Sequence, residues 1–472
     1  MGTKEFIPPL CFLAITLAYL HRVVLSQAII PLSQSLDWSQ EDQGWLLSSF
    51  FWGYILTQFA GSFLSQKFGA KYVLAIGLSV SSLTTAVIPF VAKQSFAFLV
   101  TLRVITGICQ GATFPSVTNL IGAWMENDEF TSAIAFSWSG SYIGTALVQG
   151  LYPIIQDAFY DSWEAPFWVF GLVGLGWLLA WLVFVESSPN SKPESTDQAE
   201  TLYFDEDRNA DDSDDDEEAK NCLSDPESIP HSRSSMSIPF KQIFQSASVW
   251  AYFVNHFCYN WTFYFLLTYL PKYLNYTVGI EFEKAGLVAI IPYLGLYVFS
   301  VIGGKVSGKF ISLLKLFLTQ LIDFFIKRNV SVDKVRRGVQ LIGFLIPSVF
   351  LLILTQLDIA SIESQIPLIL IIVTISISGT AVCGFATNPL DLSPQFSGII
   401  VGIGNTLATL PGMISPALTG YLLKAGGCMD FFPESETCRA AWNTTFYLCI
   451  GFYVFGSVIW VLFASSKPIP FR

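Results

Sequence analysis

The stretch Gly61-Ser62-Phe63-Leu64-Ser65-Gln66-Lys67 has a counterpart 242 residues later, Gly303-Gly304-Lys305-Val306-Ser307-Gly308-Lys309. Upstream of the two copies the glycines keep the same step, Gly44 with Gly286 and Gly53 with Gly295. Glycines alone are weak evidence of duplication, because helices packed in a bilayer favour small residues. Matched glycines closed by the same Ser-x-Lys ending are much stronger. The chain reads as two homologous halves around a central pathway.

Composition agrees. Of 472 residues, 52% are hydrophobic and only 13% charged, which excludes a disordered chain and argues against an ordinary soluble enzyme. Apolar stretches of spanning length fall at 6–30, 44–65, 72–92, 98–125, 131–152 and 165–185. After a polar interruption they resume at 249–274, 285–306, 339–356, 367–387, 398–423 and 445–464. In lipid each can satisfy its own backbone only as a helix. The fold class is therefore all-α: a polytopic membrane protein with twelve transmembrane helices in two six-helix, pseudo-symmetric halves. Residues 1–185 form the first half, 186–245 a cytosolic loop and 246–472 the second half. No small-residue cleavage site follows the first apolar stretch, so it reads as a retained helix.

The formal net charge of −11 is unevenly spread. Between Glu186 and Glu227 there are 16 acidic and 3 basic residues, which leaves 20 acidic and 22 basic residues elsewhere. The acidic run Asp211-Asp212-Ser213-Asp214-Asp215-Asp216-Glu217-Glu218 cannot bury itself and reads as a solvated linker; a regulatory or partner-binding segment is the alternative. With both termini in the cytosol, inner segments carry 18 Lys/Arg and outer loops 5, as the positive-inside rule requires. A second oddity, 310–327, places Lys and Asp among large apolar residues in a cytosolic loop and reads as an extra amphipathic helix lying on the membrane surface or against the bundle. Cys428 and Cys438 share an outer loop, where they form a disulfide or remain free thiols. Asn275-Tyr276-Thr277 is an outer-loop glycosylation sequon at a helix end.

Arg22 and Arg103 lie well inside spans, where a charge costs several kcal/mol unless it faces protein or water. The guanidinium is a planar fork suited to carboxylate or phosphate. Two such forks would recognise a dianion or polyanion; the alternative is that each arginine pairs with buried carbonyls or a carboxylate. Gln110 stands two helical turns beyond Arg103, on the same face, able to hydrogen-bond a substrate or a neighbouring helix but unable to carry a proton. His256, Tyr259, Asn260 and Phe263 share one face of the seventh span. His256 is the proton-coupling candidate, with a satisfied bundle histidine as its alternative; His21 points about 100° away from Arg22 and is weaker. Trp52 and Tyr54 line the pathway or simply pack. No nucleophile motif, paired catalytic acids or metal cluster is present, so the chain does not read as an enzyme.

These motifs carry a resemblance. Gly61, Lys67, Gly69 and Lys71 sit in a segment similar to the major facilitator superfamily's loop between helices two and three, with Gln66-Lys67 where the usual Asp-Arg stands. Ser48-Ser49-Phe50-Phe51-Trp52-Gly53-Tyr54-Ile55-Leu56-Thr57-Gln58 is very similar to the second helix of its phosphate and organic-anion symporters. That family includes the vesicular glutamate, vesicular nucleotide, sialic acid and plastid phosphate transporters. Gly107-Ile108-Cys109-Gln110-Gly111-Ala112-Thr113-Phe114-Pro115 resembles its fourth helix. Asn388-Pro389-Leu390-Asp391-Leu392-Ser393-Pro394 and Gly402-Ile403-Gly404-Asn405-Thr406 resemble its tenth and eleventh.

Arg22 and Arg103 match family arginines. Gln110 replaces the fourth-helix glutamate of many proton-coupled members, and Tyr259 replaces an arginine of the glutamate transporters. Around Arg22 the chain is similar to the vesicular nucleotide branch, and around His256 to the plastid phosphate branch.

The resemblance implies a monomeric secondary transporter of anionic solutes, whether organic anion, nucleotide or phosphate, working by alternating access. It needs no cofactor or metal, and its partners are a small anion and the lipid bilayer, not nucleic acid. Asn405 joins Trp52 and Tyr54 as a pathway residue. Membrane potential, H⁺ or Na⁺ supplies the drive, with chloride as a modulator, in a vesicular, endolysosomal or plasma membrane. The competing class is a non-transporting sensor or scaffold that signals through the acidic loop.

Overall fold

The computed structural model describes residues 3–125, 127–186, 239–302, 332–358, 365–386, 388–393, 396–428 and 435–469. The acidic run, the 310–327 segment and the second copy of the repeat ending, Gly303 to Lys309, lie outside the described residues.

Helix accompanies every apolar stretch. In the first half it forms α1 (Thr3–Leu36), α2 (Gln40–Phe68), α3 (Ala70–Ala92), α4 (Phe96–Gly111), α5 (Thr113–Trp124), α6 (Asn127–Ala158) and α7 (Ala165–Phe184). The second half has α8 (Phe240–Gln245), α9 (Ala247–Lys272), α10 (Phe282–Val288), α11 (Ile290–Ile302), α12 (Val332–Gln356), α13 (Gln365–Phe385), α14 (Asn388–Leu392), α15 (Ser397–Ala425) and α16 (Glu436–Phe463).

Eight helices among the described residues are long and apolar enough to cross a membrane. α2, α6 and α9 are as long but carry Ser, Gln, Asn and Tyr within their length.

Two expected single spans are each broken. Residues 98–125 divide at Ala112 into α4 and α5, since Pro115 has no N–H for the carbonyl of Gly111. Residues 285–306 divide at Ala289, where Pro292 does the same to Val288. The seventh span ends in a π-helical turn, Tyr273–Thr277, after Pro271.

Local chemistry sets the boundaries. Ser39 and Asp42 exchange side-chain bonds with each other's backbone N–H at 3.2 and 3.1 Å, a capping box that starts α2. Gly69, at φ +85°, is the single residue that turns α2 into α3.

Within the first half α1 packs on α6, α2 on α4 and α3 on α7; in the second, α12 packs on α13 and α16, and α9 on α15 and α16. The α2–α4 contact is backbone against backbone. A Cβ on Gly107 would stand 1.9 Å from the Phe50 carbonyl oxygen, and one on Gly53 2.0 Å from that of Val104.

The halves meet through α2 with α15, α6 with α11 and α1 with α9. Gly44 approaches Pro416 and Gly420, Gly286 approaches Gln149 and Pro153, and Phe51 covers Gly412. Thr409 Oγ1 donates to Gln58 Oε1 at 2.8 Å. The Lys272 ammonium donates to the side-chain oxygens of Gln40 and Gln43. Lys424 pairs with Glu41 at 2.5 Å, and Gln34 Nε2 donates to the Tyr276 hydroxyl at 2.9 Å. These ties run from mid-helix to the end of the bundle away from both termini.

Candidate functional site

Arg22 sits halfway along α1, 4% exposed. Its guanidinium carbon lies 4.5 Å from the ring centre of Tyr19, 4.6 Å from Phe50 and 4.5 Å from Tyr54. Tyr19 is one turn back on α1, and Phe50 and Tyr54 stand four apart on one face of α2. The rings cover the faces of the fork, an attractive arrangement for a cation. Nε and Nη1 are buried with no hydrogen-bond partner among the described residues. From the other half Tyr264 of α9 interacts with the Arg22 charge, and its ring packs 4.6 Å from that of Phe51. Arg22 therefore lies where the halves meet. The repeat step of 242 takes position 22 to Tyr264 itself.

Arg103 is differently placed. It is 2% exposed and donates through Nη1 to the carbonyl oxygen of His21 at 3.2 Å and through Nη2 to that of Arg22 at 3.1 Å. Its guanidinium also lies 5.3 Å from the Phe50 ring centre. Of the two readings open to it, pairing with buried carbonyls describes this structure. Gln110 is likewise turned between helices: Nε2 donates to Ser81 Oγ of α3 at 2.6 Å, while Oε1 has no partner among the described residues. Ser81 Oγ also lies 3.2 Å from His21 Nδ1, and His21 Nε2 lies 3.2 Å from the Phe170 carbonyl oxygen. Both His21 nitrogens are thus engaged, facing α3 and α7 and away from the halves' interface.

The α9 group packs around its own helix and α13. His256 Nδ1 is 3.3 Å from the Tyr252 hydroxyl, and its ring lies 5.2 Å from Phe385. Tyr259 stacks on Phe263 at 6.0 Å and packs on Phe385 at 5.5 Å. Asn260 Nδ2 donates to the His256 carbonyl oxygen at 2.9 Å, leaving its amide oxygen for other partners. Asn405 is half-buried on α15.

Trp52 does not join Tyr54. It packs on Trp45 at 5.8 Å, on the side of α2 that also shows Leu56 and Phe63 at the bundle surface.

Outside the core, Gly61 lets α2 approach Ala112, and Lys67 is exposed with its ammonium 5.5 Å from the Phe68 ring. The Lys71 carbonyl oxygen accepts from Trp181 Nε1 at 3.1 Å. Cys428 and Cys438 are joined in a disulfide. Asn275 is half-buried in the π-helical turn, and its Nδ2 donates to the Ile280 carbonyl oxygen at 2.9 Å, a poor setting for glycan attachment.

Sequence reasoning passed over Tyr19, Phe50, Tyr264 and Lys272. The first three had signals: a one-turn step from Arg22, a four-residue step from Tyr54 and the 242-residue repeat step.

Residues 11–416 match the Major Facilitator Superfamily. The chloroplastic ascorbate transporter of Arabidopsis thaliana is 31% identical over 98% of this chain and 74% of its own. Human sialin is 29% identical over 91% of this chain and 77% of its own. Among solved structures, a D-xylose–proton symporter superposes with a TM-score of 0.70 at 15% identity, over 98% of this chain and 99% of its own. An inward-facing bacterial homologue of the human lysosomal transporter Spinster gives 0.69 at 14% identity, over 99% of both chains. These relatives are membrane transporters and not enzymes, and the chain, an integral multi-pass membrane protein, belongs to the major facilitator superfamily.

Proposed function

We propose that the protein is a secondary transporter that carries an anionic solute between its two halves, with Arg22 as the group that holds the charge. One observation carries this reading: a buried guanidinium at the halves' interface keeps two of its nitrogens without a partner among the described residues. A buried cation left this way is costly, and an arriving anion removes the cost. The relatives named for ascorbate and sialic acid support an anionic solute.

Arg103 acts through Arg22, gripping the α1 backbone beneath it. Asn260 and Asn405 are the polar side chains the second half would offer to the solute, and Gln110 and Tyr259 act by packing between helices. The ties between the halves lie toward the end away from the termini. Breaking Lys272, Lys424 and Gly44 away from their partners and closing the opposite end exchanges access.

The 18-to-5 distribution of Lys and Arg puts the termini in the cytosol. Gln110 cannot take a proton, and no Asp or Glu stands mid-span in the described helices. Membrane potential therefore drives the anion, with the carrier acting as a monomer.

The test is uptake into liposomes holding the purified protein, under an imposed voltage. Wild-type protein accumulates anion; Arg22→Ala, folded to the same extent by thermal unfolding, does not. Undiminished uptake by Arg22→Ala defeats the assignment.

A further inference from the structure

The number of free charges at the site, and what surrounds them, bear on which anion is carried; this inference rests on the anion-transport reading above. Two buried arginines at first suggest a dianion or polyanion. The structure divides their tasks. Arg103 directs both terminal nitrogens of its fork at the main-chain carbonyls of residues 21 and 22. Among the described residues Arg22 leaves Nε and Nη1 without partners where the halves meet, whereas Arg103 leaves only Nε.

The walls matter as much as the charge. Tyr19, Phe50 and Tyr54 stack within 4.6 Å of the Arg22 guanidinium, and Phe51 and Tyr264 close the side toward the second half. An anion reaches Arg22 only at the edge of the fork, while the rest of it lies against rings. A phosphate dianion or a nucleotide holds its water tightly, and such walls return little of that hydration. A single carboxylate on an organic body gives up less hydration, is matched by one fork, and its carbon skeleton packs on the rings.

We propose that Arg22 and its ring wall form a one-charge site that takes a singly charged organic carboxylate in preference to phosphate, dicarboxylates or nucleotides. The aromatic hydroxyls of Tyr19, Tyr54 and Tyr264, which interact with the same guanidinium, add hydrogen bonds for a carboxylate oxygen or for hydroxyl groups beside it.

Wild-type protein in liposomes, at fixed imposed voltage and constant pH, is given radiolabelled pyruvate, sialate and lactate in one set and phosphate, malate and ATP in another. The expected result is uptake of at least one monocarboxylate about tenfold or more above every member of the second set. That uptake also moves a single charge per molecule, read from its voltage dependence. Phosphate, malate or ATP carried as fast as or faster than all the monocarboxylates overturns this proposal while leaving anion transport standing. No uptake of any of the six overturns both. A paired binding measurement, displacement of labelled monocarboxylate from detergent-solubilised wild type by each unlabelled anion, must give the same order; displacement led by phosphate or ATP counts against the proposal.

Discussion

Arg103 holds Arg22 by its backbone: the Nη2 of one donates to the main-chain oxygen of the other at 3.1 Å. The two arginines therefore answer differently to mutation. Arg103→Leu removes two charge-assisted bonds, each worth about 1.5–3 kcal/mol, and loosens α1 against α4. Arg22→Leu removes a buried charge that hydrogen-bonds poorly, offset by the loss of its ring contacts. Thermal unfolding in detergent should show Arg103→Leu as clearly the less stable of the pair. Uptake should be abolished in Arg22→Leu even at temperatures where it remains fully folded. Arg103→Lys, which cannot span both carbonyls, should raise KM before it lowers the maximal rate, because the error it introduces is in the position of Arg22.

The glycine pair between α2 and α4 gives a second expectation. A Cβ added at Gly107 or Gly53 would stand within 2.0 Å of a carbonyl oxygen of the other helix. Gly107→Ala must push the helices apart, at a cost of about 1–3 kcal/mol or more, and carries Phe50 away from Arg22. The predicted outcome is a protein with lower unfolding temperature and weakened uptake, measured on equal amounts of purified material.

His256 separates potential drive from proton drive. Its ring is hydrogen-bonded to Tyr252 and packed on Phe385, as a histidine held inside a bundle is. His256→Gln should retain voltage-driven uptake within a factor of about three, the loss coming from packing alone. Should that variant lose only the uptake driven by a pH gradient, His256 regains the role of proton acceptor.

The helical architecture and the exceptional status of Arg22 are legible in the sequence, because long apolar runs and a charge inside one are visible without tertiary knowledge. What Arg103 does is not. Its acceptors are main-chain carbonyls, which every residue carries, so no side-chain pattern marks them. Trp52 and Tyr54 looked alike in the sequence, yet two residues on a helix stand about 200° apart, and only Tyr54 turns to Arg22. Lys272, Gln40, Glu41 and Lys424 carry no pattern that marks them in the sequence; their role comes from two ends that are distant in sequence meeting across the halves.

The Glu41–Lys424 pair gives a pH expectation. The hydrogen bond from Lys424 holds the exposed Glu41 carboxyl below its usual range. A depressed carboxylate contributes its attraction above its unfolded pKa and loses it as pH falls through the depressed value. The tie is thus intact throughout pH 5–8, and acidification across that range should leave the closed end unchanged; only below about pH 4 should it loosen. Glu41→Gln should mimic the acid form at neutral pH. The check is the labelling rate of a single cysteine placed at position 34 on an otherwise cysteine-free background, which should rise in the variant and stay flat from pH 5 to 8 in the parent.

The same steric argument predicts the opposite phenotype at Gly44. A Cβ there would stand 2.8 Å from the Pro416 carbonyl oxygen and 3.0 Å from Gly420 Cα. That contact joins the two halves, whereas the Gly107 contact lies within one. A side chain at Gly44 need not unpack either half, since the halves can relieve it by parting at that end. Gly44→Leu should therefore keep a near-normal unfolding temperature yet fail to close the end away from the termini. Voltage-driven uptake should fall by about tenfold or more while cysteine labelling at that end rises. A Gly44→Leu protein that unfolds early, as Gly107→Ala should, would mean that this contact belongs to the permanent core and not to a moving interface.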